Sequence, residues 1–377
     1  MQDKIIYLDN AATTVVKEEV LDAFNKAKKL YFANPSSIHI PGQEASRLLE
    51  KAREQILATL KVKDDELIFT SGATEANNLA IKGYCLRYQN RGKHIIVSNI
   101  EHPSVLETAK QLEEHFGFSV TYLPVNKNGV VEVETLKQAM RKDTILVSIM
   151  AVNNEIGSVN PIHEIAMELK KYPTIIFHSD VTQGIGKMKL PYEDMDMFSF
   201  SGHKIHGLNS SGALIKKKKI ELLPLMSGGG QENNFRSGTN DVALAVSLAK
   251  ALRLENDKIM ENCAKITPIS AFLKEYLLAH KELYELNSGD NPYIVNFSTL
   301  TKKACVVIEA LSSRGVIVSS TSACHAKEEP ISYVVKALGK SDQLAHNTVR
   351  VSLSSDTTMD DIKALISNLE DIIKELK

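Results

Sequence analysis

The chain has 377 residues, 43% of them hydrophobic and 24% charged, with a formal net charge of −1. That length suits two domains around a large core, and the balanced charge offers no field to draw the chain to nucleic acid or a membrane surface. No run approaches the roughly 18 apolar residues of a membrane span, and "MQDKIIYLDNAATT" lacks the basic-then-apolar order of a secretory signal, so a cytoplasmic protein is expected.

In chain order, "EASRLLEKAREQILATL" places Ala45, Leu48, Leu49, Ala52, Ile56, Leu57 and Leu60 three and four residues apart, one face of a helix. Short apolar runs follow: "ELIFT", "HIIVSN", "TILVSIMAV", "TIIFHSD" and "MFSFS", with helical patterns over 104–116 and 162–171 among them. Continuous apolar strands between helices predict a mostly parallel sheet covered on both faces, an α/β arrangement. The four lysines of "ALIKKKKIELL", Lys216 to Lys219, read as a solvated turn. After about residue 240 the pattern changes: a long helical stretch over 241–280 leads to "YIVNFS", "CVVIEALSSRG", "VIVSS" and a terminal helix, a smaller α+β unit.

In open α/β sheets, ligands sit beyond the carboxyl ends of the strands. Five polar clusters follow the apolar runs: "TSGATEANN", "SNIEHPS", "NNEIG", "SDVTQ" and "SGHK". They are predicted to converge at one sheet edge. In the first, Gly72 lets the backbone approach a ligand, and the amides near Ala73 and Thr74 open a helix, a phosphate cradle. The same stretch also reads as a helix cap built by Ser71, Thr74 and Glu75. Asp180 ends a β-branched strand, where a desolvated carboxylate favours a cation; alone it reads equally as an N-cap. Lys204 stands in a Ser/Gly-rich turn straight after an apolar strand, a setting for a lysine that reacts with a carbonyl. Phosphate cradle, carboxylate and lysine together match the needs of pyridoxal phosphate.

The chain resembles the cysteine desulfurases along essentially its whole length. The resemblance rests on "YLDNAATT", "NPSSIH", "FTSGATEANNLAIKG", "EHPSVLET", "NNEIG", "HSDVTQGIGK", "SFSGHKIHG", "GGGQENNFRSGT", "SSTSAC" and "LAHNTVRVSLS", in the family's order. It implies the aminotransferase-like fold of pyridoxal-phosphate-dependent transferases (fold type I). A large domain over 15–255 would carry a mainly parallel sheet, and a small α+β domain would combine 1–14 with 256–377. It also implies roles. Lys204 bonds to the cofactor aldehyde, Asp180 pairs with the ring nitrogen, Gln183 hydrogen-bonds the ring hydroxyl, and His102 stacks on the ring and moves protons. Ala73, Thr74, Ser201 and His203 hold the phosphate, and Thr239 reaches the phosphate of the other subunit, which implies a homodimer. Arg350 and Asn154, with Asn34 beside them, hold the substrate carboxylate. Arginine's planar fork suits that task.

Cys85, Cys263, Cys305 and Cys324 lie far apart with no C-x-x-C pair, against a zinc site or a disulfide framework. Cys305 stands among the bulky residues of "ACVVIEAL" and is expected to pack. Cys324 stands among small polar residues in "SSTSAC", as an exposed nucleophile would. The resemblance makes Cys324 the acceptor of substrate sulfur, which passes as a persulfide to an iron–sulfur scaffold or a tRNA-thiolation enzyme. The segment around it resembles the long-loop members of the family. Two stretches depart from the family pattern: "HGLNSSG" after the lysine and "HAKEEP" after the cysteine. Rival readings are a selenocysteine lyase or cysteine-sulfinate desulfinase, against which Cys324 counts, and a non-catalytic regulatory protein, against which Lys204, Asp180 and His102 count. His203 and His206 do not by themselves make a metal site, which needs three or more convergent ligands.

Overall fold

The computed structural model describes residues 5–320 and 331–375; Cys324 and the whole of "HAKEEP" lie outside the described residues. The described strands are β1 Ile6–Tyr7, β2 Asp65–Thr70, β3 His94–Ser98, β4 Ser119–Leu123, β5 Thr144–Ser148, β6 Ile176–Asp180, β7 Met197–Ser201, β8 Gly212–Lys217, β9 Tyr284–Leu286, β10 Ile294–Thr299, β11 Val316–Ile317 and β12 Thr348–Ser352.

Seven strands form one sheet in the order β2-β8-β7-β6-β5-β3-β4. Neighbours from β7 to β4 pair in parallel, whereas β8 is antiparallel to both β7 and β2. All strands except β8 therefore point the same way. Every residue of β3, β5, β6 and β7 is buried, as continuous apolar runs demand of strands covered on both faces. One face is packed by helices Ile40–Thr59 and Val242–Asp257, the other by Ala73–Tyr88 and Pro103–Phe116. In the first of these, Ala45, Leu49, Ala52, Ile56 and Leu57 are buried, the face that the spacing marks.

The lysine run differs from expectation. Lys216 belongs to β8 and is fully buried. Its Nζ donates to Glu66 Oε2 at 2.5 Å and lies 4.3 Å from the centre of the Phe235 ring. Ion pairing and a ring face replace the water that a lysine ordinarily needs. Only Lys218 and Lys219 are exposed, in the turn after the strand.

The long helical stretch after residue 240 is two helices, Val242–Asp257 and Ile259–Ala279, broken at Lys258. Asp241 caps the first by accepting from the amides of Ala243 and Leu244. Beyond them β9, β10 and β12 make a three-stranded antiparallel sheet with its own core, packed by helices Ile259–Ala279, Ala304–Ser313 and Met359–Glu375. Strand β1 pairs with β11, tying the N-terminal residues to this C-terminal unit. Cys305 lies on the solvent side of helix Ala304–Ser313, whose buried residues are Ala304, Val307 and Leu311, so it is exposed rather than packed. None of the described helices is long and apolar enough to cross a membrane.

Candidate active site

The carboxyl ends of β3, β5, β6 and β7 open on a cavity of about 540 Å³, within the size range of small-molecule and cofactor sites. Its lining includes Ala73, Thr74, His102, Asn154, Asp180, Gln183, Ser201, His203, Lys204 and Arg350. The five polar clusters thus meet where the strand pattern places them. Asn34 and Thr239 do not join them. They line a second, separate cleft of about 270 Å³ together with Lys28, Tyr31 and Asp241.

Lys204 follows β7 in a short 3-10 turn, Gly202–Lys204. Its Nζ donates to the carbonyls of Ala11 and Ala12, each at 2.6 Å. Residues of "YLDNAATT" therefore hold the amine, through carbonyls that any residue type could supply. Gly202 is enforced by packing: a Cβ there would lie 2.3 Å from Ser211 Oγ.

Asp180 ends β6 with both carboxylate oxygens engaged: Oδ1 accepts from the Thr182 amide at 2.9 Å and Oδ2 from Asn77 Nδ2 at 2.7 Å. Asn77, completely buried, also donates to Ser104 Oγ at 2.9 Å. Ser104 turns to His102, its amide donating to Nδ1 at 3.1 Å. Nδ1 therefore carries no hydrogen, and in the neutral ring the proton sits on Nε2. Burial lowers the His102 pKa, Asp180 opposes that, and Lys204 and Arg350 reinforce it.

At the start of helix Ala73–Tyr88, Gly72 has φ +151 and a Cβ there would stand 3.2 Å from Ser201 Oγ. The Ala73 amide donates to Ser201 Oγ at 2.7 Å. Ser201 thus keeps its hydroxyl hydrogen for another acceptor. Glu75 Oε2 accepts from the Ser71 amide at 2.8 Å, the helix-capping contact that the same stretch also predicts. His203 Nδ1 lies 3.2 Å from Thr13 Oγ1, and burial beside Lys204 and Lys187 pushes its pKa down to about 4.

Arg350, on β12, reaches the cavity from the C-terminal unit. Its Nη1 donates to the Asn154 carbonyl and its Nη2 to Asp9 Oδ1, both at 3.0 Å. Arg350 Nε, Asn154 Oδ1 and Thr182 Oγ1 are buried without a hydrogen-bond partner among the described residues. Unpaired buried polar atoms are costly; on residues that line one cavity, Arg350 Nε and Thr182 Oγ1 can donate to an anionic group and Asn154 Oδ1 can accept from an N–H, which fits a polar ligand carrying both. With an amine, a buried carboxylate and a helix N-terminus beside them, the donor set fits pyridoxal phosphate. Sequence reading missed Asp9, Ala11, Ala12, Asn77 and Thr182. All fall inside matched motifs, but none carries a residue type that announces cofactor chemistry.

Residues 6–365 match the aminotransferase class-V family. The chain is 40% identical to cysteine desulfurase IscS of Dictyoglomus turgidum over 99% of its own length and 95% of that protein's. Among solved structures it is similar to a NifS-like protein, with TM-score 0.91 and 32% identity, covering 98% of this chain and 99% of that one. It is similar also to SspA in complex with cysteine, with TM-score 0.79 and 36% identity, covering 93% and 99%.

Proposed function

The chain belongs to the aminotransferase class-V family, and from that membership and the cavity we infer that it is a pyridoxal-phosphate-dependent cysteine desulfurase. It converts L-cysteine to L-alanine and passes the sulfur on as a persulfide. One observation carries the reading: an amine (Lys204), a buried carboxylate (Asp180), an imidazole (His102) and a guanidinium (Arg350) from separate chain segments line one cavity.

The residues divide the work by chemistry. With pyridoxal phosphate bound, Lys204 would hold the cofactor aldehyde, Asp180 the ring nitrogen, Gln183 the ring hydroxyl, and His102 the ring. Ala73, Thr74, Ser201 and His203 take the phosphate. When bound, the cofactor supplies an electron sink for negative charge at the substrate carbon that bears the nitrogen. Arg350 would hold the substrate carboxylate with its unpaired Nε and Asn154 with its amide nitrogen, while Asn154 Oδ1 can only accept. Lys204 Nζ would be the base that takes the proton from that carbon, and the Ser104 amide on His102 Nδ1 leaves Nε2 as the nitrogen that would give or accept a proton.

Cys324 takes the sulfur as thiolate. Its sulfur bonds to the substrate sulfur while the carbon–sulfur bond breaks, and the released carbon is reprotonated as alanine leaves. The acceptor is a protein, an iron–sulfur scaffold or a tRNA-thiolation enzyme, met in the cytoplasm. Residues 15–255 act as the large domain, and 1–14 with 256–377 as the small one; the pairing of β1 with β11 supports that division.

The enzyme works as a homodimer in which Thr239 completes the partner's phosphate site. Support comes from Thr239 standing apart from its own chain's cavity. Phe32, in the same cleft, is 80% exposed, and Ile38 and Ile40, a few residues on in the chain, are 92% and 71% exposed, large apolar residues that a second copy would cover. Asn34, in the same cleft as Thr239, belongs with that shared face.

Mass spectrometry after incubation with L-cysteine tests the function. The gain of one sulfur is expected on Cys324, with alanine formed, and Cys324→Ser is expected to keep the cofactor and lose both products. Sulfur on another cysteine, or normal turnover by Cys324→Ser, would refute the mechanism.

A further inference from the structure

Lys187 is a buried lysine, 7% exposed, in the turn that follows β6. Its Nζ donates to Gln183 Oε1 at 3.1 Å, and Gln183 Nε2 donates to the Ala11 carbonyl at 3.1 Å. A lysine only donates and a carbonyl only accepts, so these two contacts leave the Gln183 amide one orientation. Its oxygen is held on the Lys187 side and its nitrogen on the Ala11 side. Lys204 Nζ also donates to the Ala11 carbonyl, so Nε2 is the amide end nearest the reactive lysine. Nε2 keeps a second hydrogen, and Gln183 lines the cavity.

Among the described residues no carboxylate is hydrogen-bonded to Lys187. Glu255, the acid whose charge acts on it, is ion-paired with Lys17. Burial pushes the Lys187 pKa down to about 7, Lys204 and Arg350 press the same way, and Glu255 opposes them. Charged or neutral, the nitrogen still donates to Oε1. A buried lysine placed among other cations is an expensive way to fill space. Methionine or leucine would fill the same volume without the cost.

We propose that Lys187 is a positioning residue that locks the Gln183 amide so that the cavity meets a hydrogen-bond donor. This rests on the cofactor reading above. A locked donor favours the ring oxygen of the cofactor in its anionic form. Without Lys187 only the Ala11 carbonyl still orients the amide, the turned-over state in which its carbonyl faces that oxygen gains population, and the cofactor holds its titrating proton more tightly.

The test is a pH titration of the visible absorbance of purified holoenzyme, which needs no turnover. Lys187→Met is expected to raise the midpoint by about one unit, a tenfold gain in proton affinity. In a Gln183→Ala background Lys187→Met is expected to add nothing, because Lys187 acts through that amide. A folded Lys187→Met with an unchanged midpoint overturns the proposal, as does an equal shift in both backgrounds. Should Lys187→Met not fold, Lys187→Leu enters the same cycle with the same two outcomes. If the wild-type protein binds pyridoxal phosphate with no visible band at all, the cofactor reading itself falls and this proposal with it.

Discussion

Arg350→Lys asks whether the guanidinium geometry, rather than its charge, holds the substrate. Arginine has five N–H donors and lysine three. In the structure two go to fixed acceptors, the Asn154 carbonyl and Asp9 Oδ1. Arginine therefore has three left, including the buried Nε that has no partner. A lysine that satisfies the same two acceptors has one left and cannot grip a carboxylate with two parallel bonds. Losing one hydrogen bond to a charged group costs about 1.5–3 kcal/mol, roughly 10- to 150-fold in kcat/KM. Folding is expected to change little, since charge and both internal contacts survive. The assay is alanine production at graded L-cysteine, with thermal unfolding alongside. Unchanged kcat/KM in a folded Arg350→Lys would show that substrate binds elsewhere; a loss that only tracks unfolding would mean that Arg350 serves stability alone.

Lys204→Ala is expected to abolish the visible absorbance of the bound cofactor and all turnover while leaving the fold intact, because the residue lies in a short turn after β7, outside the strand; an absorbing, active variant would sink the assignment. Thr239→Ala is expected to weaken cofactor retention roughly 10- to 150-fold, the worth of one hydrogen bond to a charged group, although Thr239 is outside its own chain's cavity. Equilibrium dialysis at fixed dimer concentration measures it, and unchanged retention argues against a shared phosphate site.

The parts of the fold that could be read from sequence are those where burial leaves a mark on residue type. Strands β3, β5, β6 and β7 are buried on both faces, so they appear as unbroken apolar runs, and the clusters that end them had to meet at one edge. Where burial leaves a different mark, the reading failed. β8 hides because Lys216 looks like surface; its partner Glu66 is 150 residues away in sequence. Cys305 failed for the opposite reason: its apolar neighbours in sequence point into the core from other positions of a helix, and Cys305 itself faces out.

The cavity divides along the same line. Lys204, Asp180, His102 and Arg350 act through groups that only those side chains possess, so motifs could name them. What holds them is different in kind. Lys204 is held by two alanine carbonyls, Asp180 by a backbone amide and Asn77, and the Gln183 amide by Lys187 and the Ala11 carbonyl. The Ala11 carbonyl accepts from both Lys204 and Gln183, and of the alanine side chain only its small size is used, since it is buried where it lines the cavity. That carbonyl matters because the N-terminal segment is bonded to the Lys204 turn, the Thr14 and Lys17 amides donating to the His203 and His206 carbonyls. A substitution at Ala11 that keeps both the backbone and the small volume should therefore spare the site, whereas loosening that segment should disturb Lys204 and Gln183 together.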